Sequence, residues 1–157
     1  MAASGGENFF ASFLPYAPLI LTIVGWYVAN SASAKREIRK EKRAEVDAVC
    51  KLLAEILSKA RSYYTKAAHD AEALKIGREL VFDLHRVLQR VERLEVACPK
   101  FEVSGTCSEL HEATTGGDFE STSRQPVSHS DPVIMNIEHW THKTMDQLEE
   151  GFFLTYR

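Results

Sequence analysis

A chain of 157 residues with 19 Lys plus Arg against 22 Asp plus Glu carries a formal net charge of -3, which excludes a global electrostatic drive towards nucleic acid. Its three cysteines, Cys50, Cys98 and Cys107, are an odd number without paired spacing. They read as reduced thiols rather than as a disulfide framework.

The first segment is the most apolar. Residues 8–34 contain no ionisable side chain other than Tyr, a window of 27 residues where about 20 suffice to cross the hydrocarbon core of a bilayer. Phe13, Leu14, Leu19, Ile20, Leu21, Ile23, Val24 and Val28 together favour insertion by about 2.5 to 5 kcal/mol, before polar residues are counted against it. Pro15 and Pro18 fall in the first turns, where a missing N–H costs little, and Trp26 and Tyr27 sit towards the far end, where aromatic rings favour an interface. A basic run follows, with Lys35, Arg36, Arg39, Lys40, Lys42 and Arg43 outnumbering Glu37 and Glu41. The positive-inside bias then predicts a single-pass anchor, N-terminus out, with the remaining domain on the cytoplasmic side. The same six cations are candidate contacts for anionic lipid headgroups. Two other readings compete. The small residues at 31–34 resemble a signal-peptide cleavage site, although the preceding segment has no Lys or Arg, and the short stretch 19–28 also suits a buried core helix or an interfacial hairpin.

After the basic run, Val46, Val49, Leu53, Ile56, Ala60, Tyr63 and Ala67 recur at spacings of three and four, with Leu52 and Leu57 widening the stripe. No Gly or Pro interrupts residues 26–76, so the first helix is expected to continue from the apolar segment. A break is expected near 65–70, with Asp70 capping a second helix to Ala97 that carries Leu80, Leu84, Val87, Val91 and Leu94. A short connection implies an antiparallel helical hairpin over 35–98, with Gly77 marking close approach to the partner helix. Residues 99–131, rich in Gly, Ser and Thr, read as mostly loop, with one or two helical turns over 107–113. A last helix is predicted from Pro132 to Glu150, capped by Asp131, with Val133, Ile134, Ile137, Trp140, Thr144 and Leu148 facing inwards. The expected fold is all-α: residues 1–34 as tail and transmembrane helix, 35–98 as basic segment and hairpin, 99–131 as loop and 132–157 as C-terminal helix and tail.

Candidate chemistry is sparse. His139 and His142, with Asp146, could share one helical face at ligand-like spacing, but HExxH is absent and a solvated face is the simpler reading. Cys107 and His111 form an i, i+4 pair with Glu109 and Glu112 nearby, again better read as a chance surface pairing. No nucleophile signature is present, and the Gly116, Gly117, Asp118 turn lacks the Lys of a phosphate loop. No cofactor is expected. The loop residues Thr115, Gly116, Gly117, Asp118 and Phe119 are the candidate partner surface, because Gly, Asp and Phe in a loop are poor at building a core.

Gly25, Trp26 and Tyr27, the basic run 35–43 and the stretch 113–121, ATTGGDFES, together resemble a diffuse set of small bacterial single-pass membrane proteins with a helical cytoplasmic domain. The resemblance spans most of the chain, rests on short motifs, implies an inner-membrane location and transfers no catalytic residue. The functional expectation is a non-catalytic helical interaction, sensor or effector module, self-associating or bound to a membrane-protein partner as well as to the bilayer. The alternatives are an accessory subunit of a larger membrane complex and a metal-dependent enzyme using His139 and His142.

Overall fold

The computed structural model describes residues 17–157. Among them the chain forms four α-helices and no strand: α1 (Ala17–Tyr64), α2 (Ala71–Ala97), α3 (Ser104–Thr115) and α4 (Pro132–Tyr156). They divide into two compact units, one described over residues 17–41 and the other Lys42–Arg157.

The described part of the first unit is the start of α1. Leu19, Ile20, Leu21, Ile23, Val24, Trp26, Tyr27 and Val28 are all exposed on it. The membrane expectation fails here: among the described residues no helix is long and apolar enough to cross a membrane. At 1.5 Å per residue the apolar run 19–28 extends about 15 Å, half of the roughly 30 Å hydrocarbon core. Asn30, Ser31 and Ser33 follow it at once. Phe13, Leu14 and Pro15, which the sequence reading counts as part of the span, lie outside the described residues. This overturns the single-pass placement in a bacterial inner membrane and the N-terminus-out orientation.

The second unit is a helical bundle. α1 and α2 run antiparallel, because partners ascending one descend the other: Lys66 pairs with Glu72, Tyr63 faces Gly77, and Lys59 Nζ reaches Glu79 at 2.9 Å and Asp83 at 2.8 Å. α4 lies antiparallel to α1 by the same reasoning, with Arg61 on Glu138 and Arg43 on Glu149. The apolar stripes meet inside. Val46, Val49, Leu53, Ile56 and Ala60 of α1 pack with Leu80, Leu84, Val87, Val91 and Leu94 of α2 and with Ile134, Ile137 and Leu148 of α4. Burial of each such side chain contributes about 1.5 to 3 kcal/mol.

The caps explain the boundaries. Asp70 accepts from the amides of Glu72 and Ala73, and Asp131 accepts from that of Val133 with Pro132 in the first turn, so two helix starts fall where local chemistry puts them. α3 starts differently. Val103, its N-cap, has no capping side chain, and Glu95 of α2 accepts instead from the amides of Val103 and Ser104, both at 2.7 Å. A carboxylate there satisfies two orphan donors and complements the positive end of the helix dipole. α3 is therefore twelve residues long, beyond the few turns expected over 107–113. α4 also runs past its expected end at Glu150, with Gly151 lying under the ring of Phe101 and Phe152 buried.

Candidate functional site

The last turn of α1 ends in Tyr63 and Tyr64, and everything around the candidate site is tied to this pair. Their rings stand edge to face with centroids 5.1 Å apart. Tyr63 Oη donates to the carbonyl of Phe119 at 2.5 Å, and Tyr64 Oη donates to that of Thr114 at 2.8 Å. Burial raises both phenol pKa values, that of Tyr64 to about 12, so both remain donors. Two hydroxyls on one helix end thus hold the end of α3 and the turn that follows it.

That turn needs glycine. A Cβ on Gly116 would sit 2.6 Å from the carbonyl oxygen of Glu112, and Gly117 has φ of 57°, in the left-handed region. Phe119 then folds inwards to 4% exposure, its ring centroid 4.8 Å from that of Tyr63. It is core, so it cannot serve as the partner contact expected from the loop's composition. Thr115 Oγ1 is also engaged, donating to the carbonyl of His111 at 2.8 Å, whereas Gly117 and Asp118 are exposed.

The chain next returns over α1. Val127 N donates to the carbonyl of Tyr64 at 2.9 Å, and Arg124 Nη1 donates to that of Tyr63 at 2.6 Å. Two of the carbonyls that a helix leaves unsatisfied at its C-terminus are answered by residues some sixty positions away. Arg124 is 6% exposed, with its guanidinium carbon 3.8 Å from the ring centroid of Tyr63 and 5.5 Å from that of Tyr64. Among the described residues it makes no ion pair, and its Nε has no hydrogen-bond partner. The flat, always charged guanidinium suits this place by stacking on the aromatic rings and complementing the helix dipole.

Beside Arg124 opens a cleft of about 1000 Å³ between α3, the 116–127 segment and the start of α4. Val127, Val133 and Trp140 supply apolar lining, while Glu109, Glu112 and Asp118 supply exposed carboxylates. Three carboxylates against Arg124, the one Lys or Arg in the lining, leave it with a formal charge of -2. Lys143, also exposed, lies 4.5 Å over the Trp140 ring. The lining thus combines apolar side chains with a net negative formal charge, and the Lys143 ammonium stands at its Trp140 side.

The other predicted sites are dispersed. Of the six cations, Lys42 pairs with Glu45 at 3.3 Å, and Arg43 bonds Glu149 through both terminal nitrogens, at 2.5 and 2.9 Å, and Asp47 at 3.0 Å. Lys35, Arg36, Arg39 and Lys40 are exposed and enter no ion pair among the described residues. His139, His142 and Asp146 are exposed on α4, with His139 edge-on to Trp140 at 5.3 Å. Among the described residues no three His, Cys, Asp or Glu side chains gather where one metal ion could be held. Cys107 is buried away from the surface pairing read from its spacing to His111, and burial pushes its thiol up to about 12 and that of the half-buried Cys50 to about 11. These thiols stay protonated at neutral pH and are poor nucleophiles. No family model matches the chain, and neither does any curated protein or solved structure.

Proposed function

We propose that the chain is a non-catalytic helical interaction module that takes a basic, apolar segment of a partner protein into the cleft beside Arg124. The observation that carries this reading is the lining itself: apolar side chains of α4 and the 116–127 segment face a set of carboxylates that exceeds the single, internally committed cation by two. Apolar contact would supply affinity, and the carboxylates would supply selectivity and association rate. Rigid placement of the turn by Tyr63, Tyr64 and Arg124 lowers the entropy cost of binding. The exposed apolar run 19–28 supports self-association within the same reading, since a helix that is apolar all round is stable in water when another helix covers it.

The test is a fluorescence-polarisation titration of the full chain with short labelled peptides. Peptides that mix Lys or Arg with Leu, Phe or Trp are expected to bind, and acidic peptides of the same apolar content are not. The Glu109→Lys/Glu112→Lys variant should weaken the basic peptides by about tenfold or more, the equivalent of about 1.4 kcal/mol. Equal affinity for basic and acidic peptides, or no effect of the variant, would refute the reading.

A further inference from the structure

The start of α1 is itself a basic, apolar helical segment. Leu21, Val24, Val28, Lys35 and Ile38 recur at spacings of three, four and seven, with Arg39 four after Lys35. At about 100° per residue these six side chains fall within one arc of about 100°, while Glu37 and Glu41 lie more than about 100° from its centre. The face is free. Its four apolar residues keep half or more of their surface open to solvent, and Lys35 and Arg39 are exposed and enter no ion pair among the described residues.

The cleft beside Arg124 presents the complement. Glu109 and Glu112 stand three apart on α3 and Asp118 follows in the turn, all three exposed and outside any ion pair among the described residues. Size agrees as well as charge. From Val28 to Arg39 the face extends about 17 Å, and a helix about 10 Å across sunk to half its depth over that length fills about 650 Å³. The cleft offers about 1000 Å³. Pairing this face in parallel with its own copy would instead set Lys35 and Arg39 beside their counterparts, an opposition of like charges.

We propose that the segment taken into the cleft is residues 21–39 of a second copy of this chain, Lys35 and Arg39 meeting Glu109, Glu112 and Asp118 while Val28 and Ile38 rest on the apolar lining. This rests on the cleft being the binding site put forward above, and it names the partner. The contact joins two different patches, so it links copies head to tail or closes when two copies exchange segments.

Sedimentation velocity of the full chain over a concentration series tests this, beside the peptide titration of the cleft. The mean mass is expected to rise with concentration. Lys35→Glu/Arg39→Glu and Glu109→Lys/Glu112→Lys should each weaken self-association by about tenfold or more, and the chain carrying both pairs of reversals should recover to within about threefold of wild type. Circular dichroism verifies that each variant is folded, and all four positions are exposed. A wild type that stays monomeric, association untouched by either pair of reversals, or no recovery in the combined chain would each overturn the proposal. In each of those cases unrelated basic peptides that bind the wild type, and bind Glu109→Lys/Glu112→Lys less well, would leave the cleft reading standing and remove only the second copy as its occupant.

Discussion

Replacing Arg124 by Met keeps most of the side-chain volume and removes the charge, the stacked plane and the donor to Tyr63. A hydrogen bond from a charged donor contributes about 1.5 to 3 kcal/mol, a desolvated cation–π contact about 2, and a cation at a helix C-terminus up to about 2. These are three descriptions of one guanidinium, so they overlap rather than add. Against them stands the unpartnered Nε, a buried donor whose desolvation costs about 1 to 3 kcal/mol in the wild type and is relieved in the variant. The carbonyl of Tyr63 keeps a second, longer bond from the amide of Lys66 at 3.3 Å, which limits the loss. The net expectation is a destabilisation of about 2 kcal/mol. With a urea slope of about 1 to 2 kcal/mol/M for a body of this size, the midpoint should fall by about 1 to 2 M. Arg124→Lys, which restores charge without the planar fork, should lie between Met and wild type. A midpoint for Arg124→Met equal to or above wild type would show that burying the unpaired guanidinium costs as much as its contacts return, and the capping role argued for it would be wrong.

Two further substitutions or conditions probe the packing and the buried groups. In Gly151→Ala, the new Cβ would lie 2.8, 3.1 and 3.2 Å from Cδ1, Cγ and Cε1 of the buried Phe101 ring. Overpacking of about 1 to 3 kcal/mol then exceeds the helix-propensity gain of about 1, so stability should fall by about 1 kcal/mol, and Phe101→Leu in the same chain should cancel part of the loss in a double-mutant cycle of urea midpoints. Alkaline pH should also destabilise the fold. Cys107 at about 12 and Cys50 at about 11 stand above their ordinary 9.0, and Tyr64 at about 12 above 10.0. The folded chain therefore holds protons that the unfolded chain has released, and its stability is intact below about pH 9 and declines as pH rises towards 11 to 12. Each group contributes up to about 1.4 kcal/mol per pH unit. Melting temperatures in reducing buffer from about pH 8 to about pH 10.5 should fall, and Cys107→Ala should flatten the decline.

Much of the bundle was legible because its signals are local. The stripes of α1 and α2 recur at helical spacing, and Asp70, Asp131 and Pro132 mark helix starts by chemistry that reaches only two or three residues. What was not legible depends on residues far apart in the chain. The start of α3 is set by Glu95 on another helix, so no capping residue at 103 or 104 announces it. Gly151 reads as a helix end, yet its missing Cβ is the space into which Phe101 packs. The N-terminal segment misled for a different reason: absence of charge over 27 residues measures what is tolerated in lipid, whereas the continuous apolar length in the described helix is about half of a bilayer core. Arg124 carries no sequence signal at all, since a single Arg among Ser, Thr and Gln reads as solvated until Tyr63 and Tyr64 are placed beneath it.

The 114–127 segment shows why loop composition is a poor guide to loop role. Its Phe119 and Arg124 are buried and its half-buried Val127 packs against the core and the end of α1, while Gly117, Asp118, Glu120, Thr122, Ser123, Gln125 and Pro126 are left exposed. Gly117 and Asp118 border the cleft beside Arg124, so a ligand there meets a turn that Tyr63 and Tyr64 already hold through the carbonyls of Phe119 and Thr114. Little conformational freedom then remains to be lost when the cleft is filled, which is the entropic advantage argued for it.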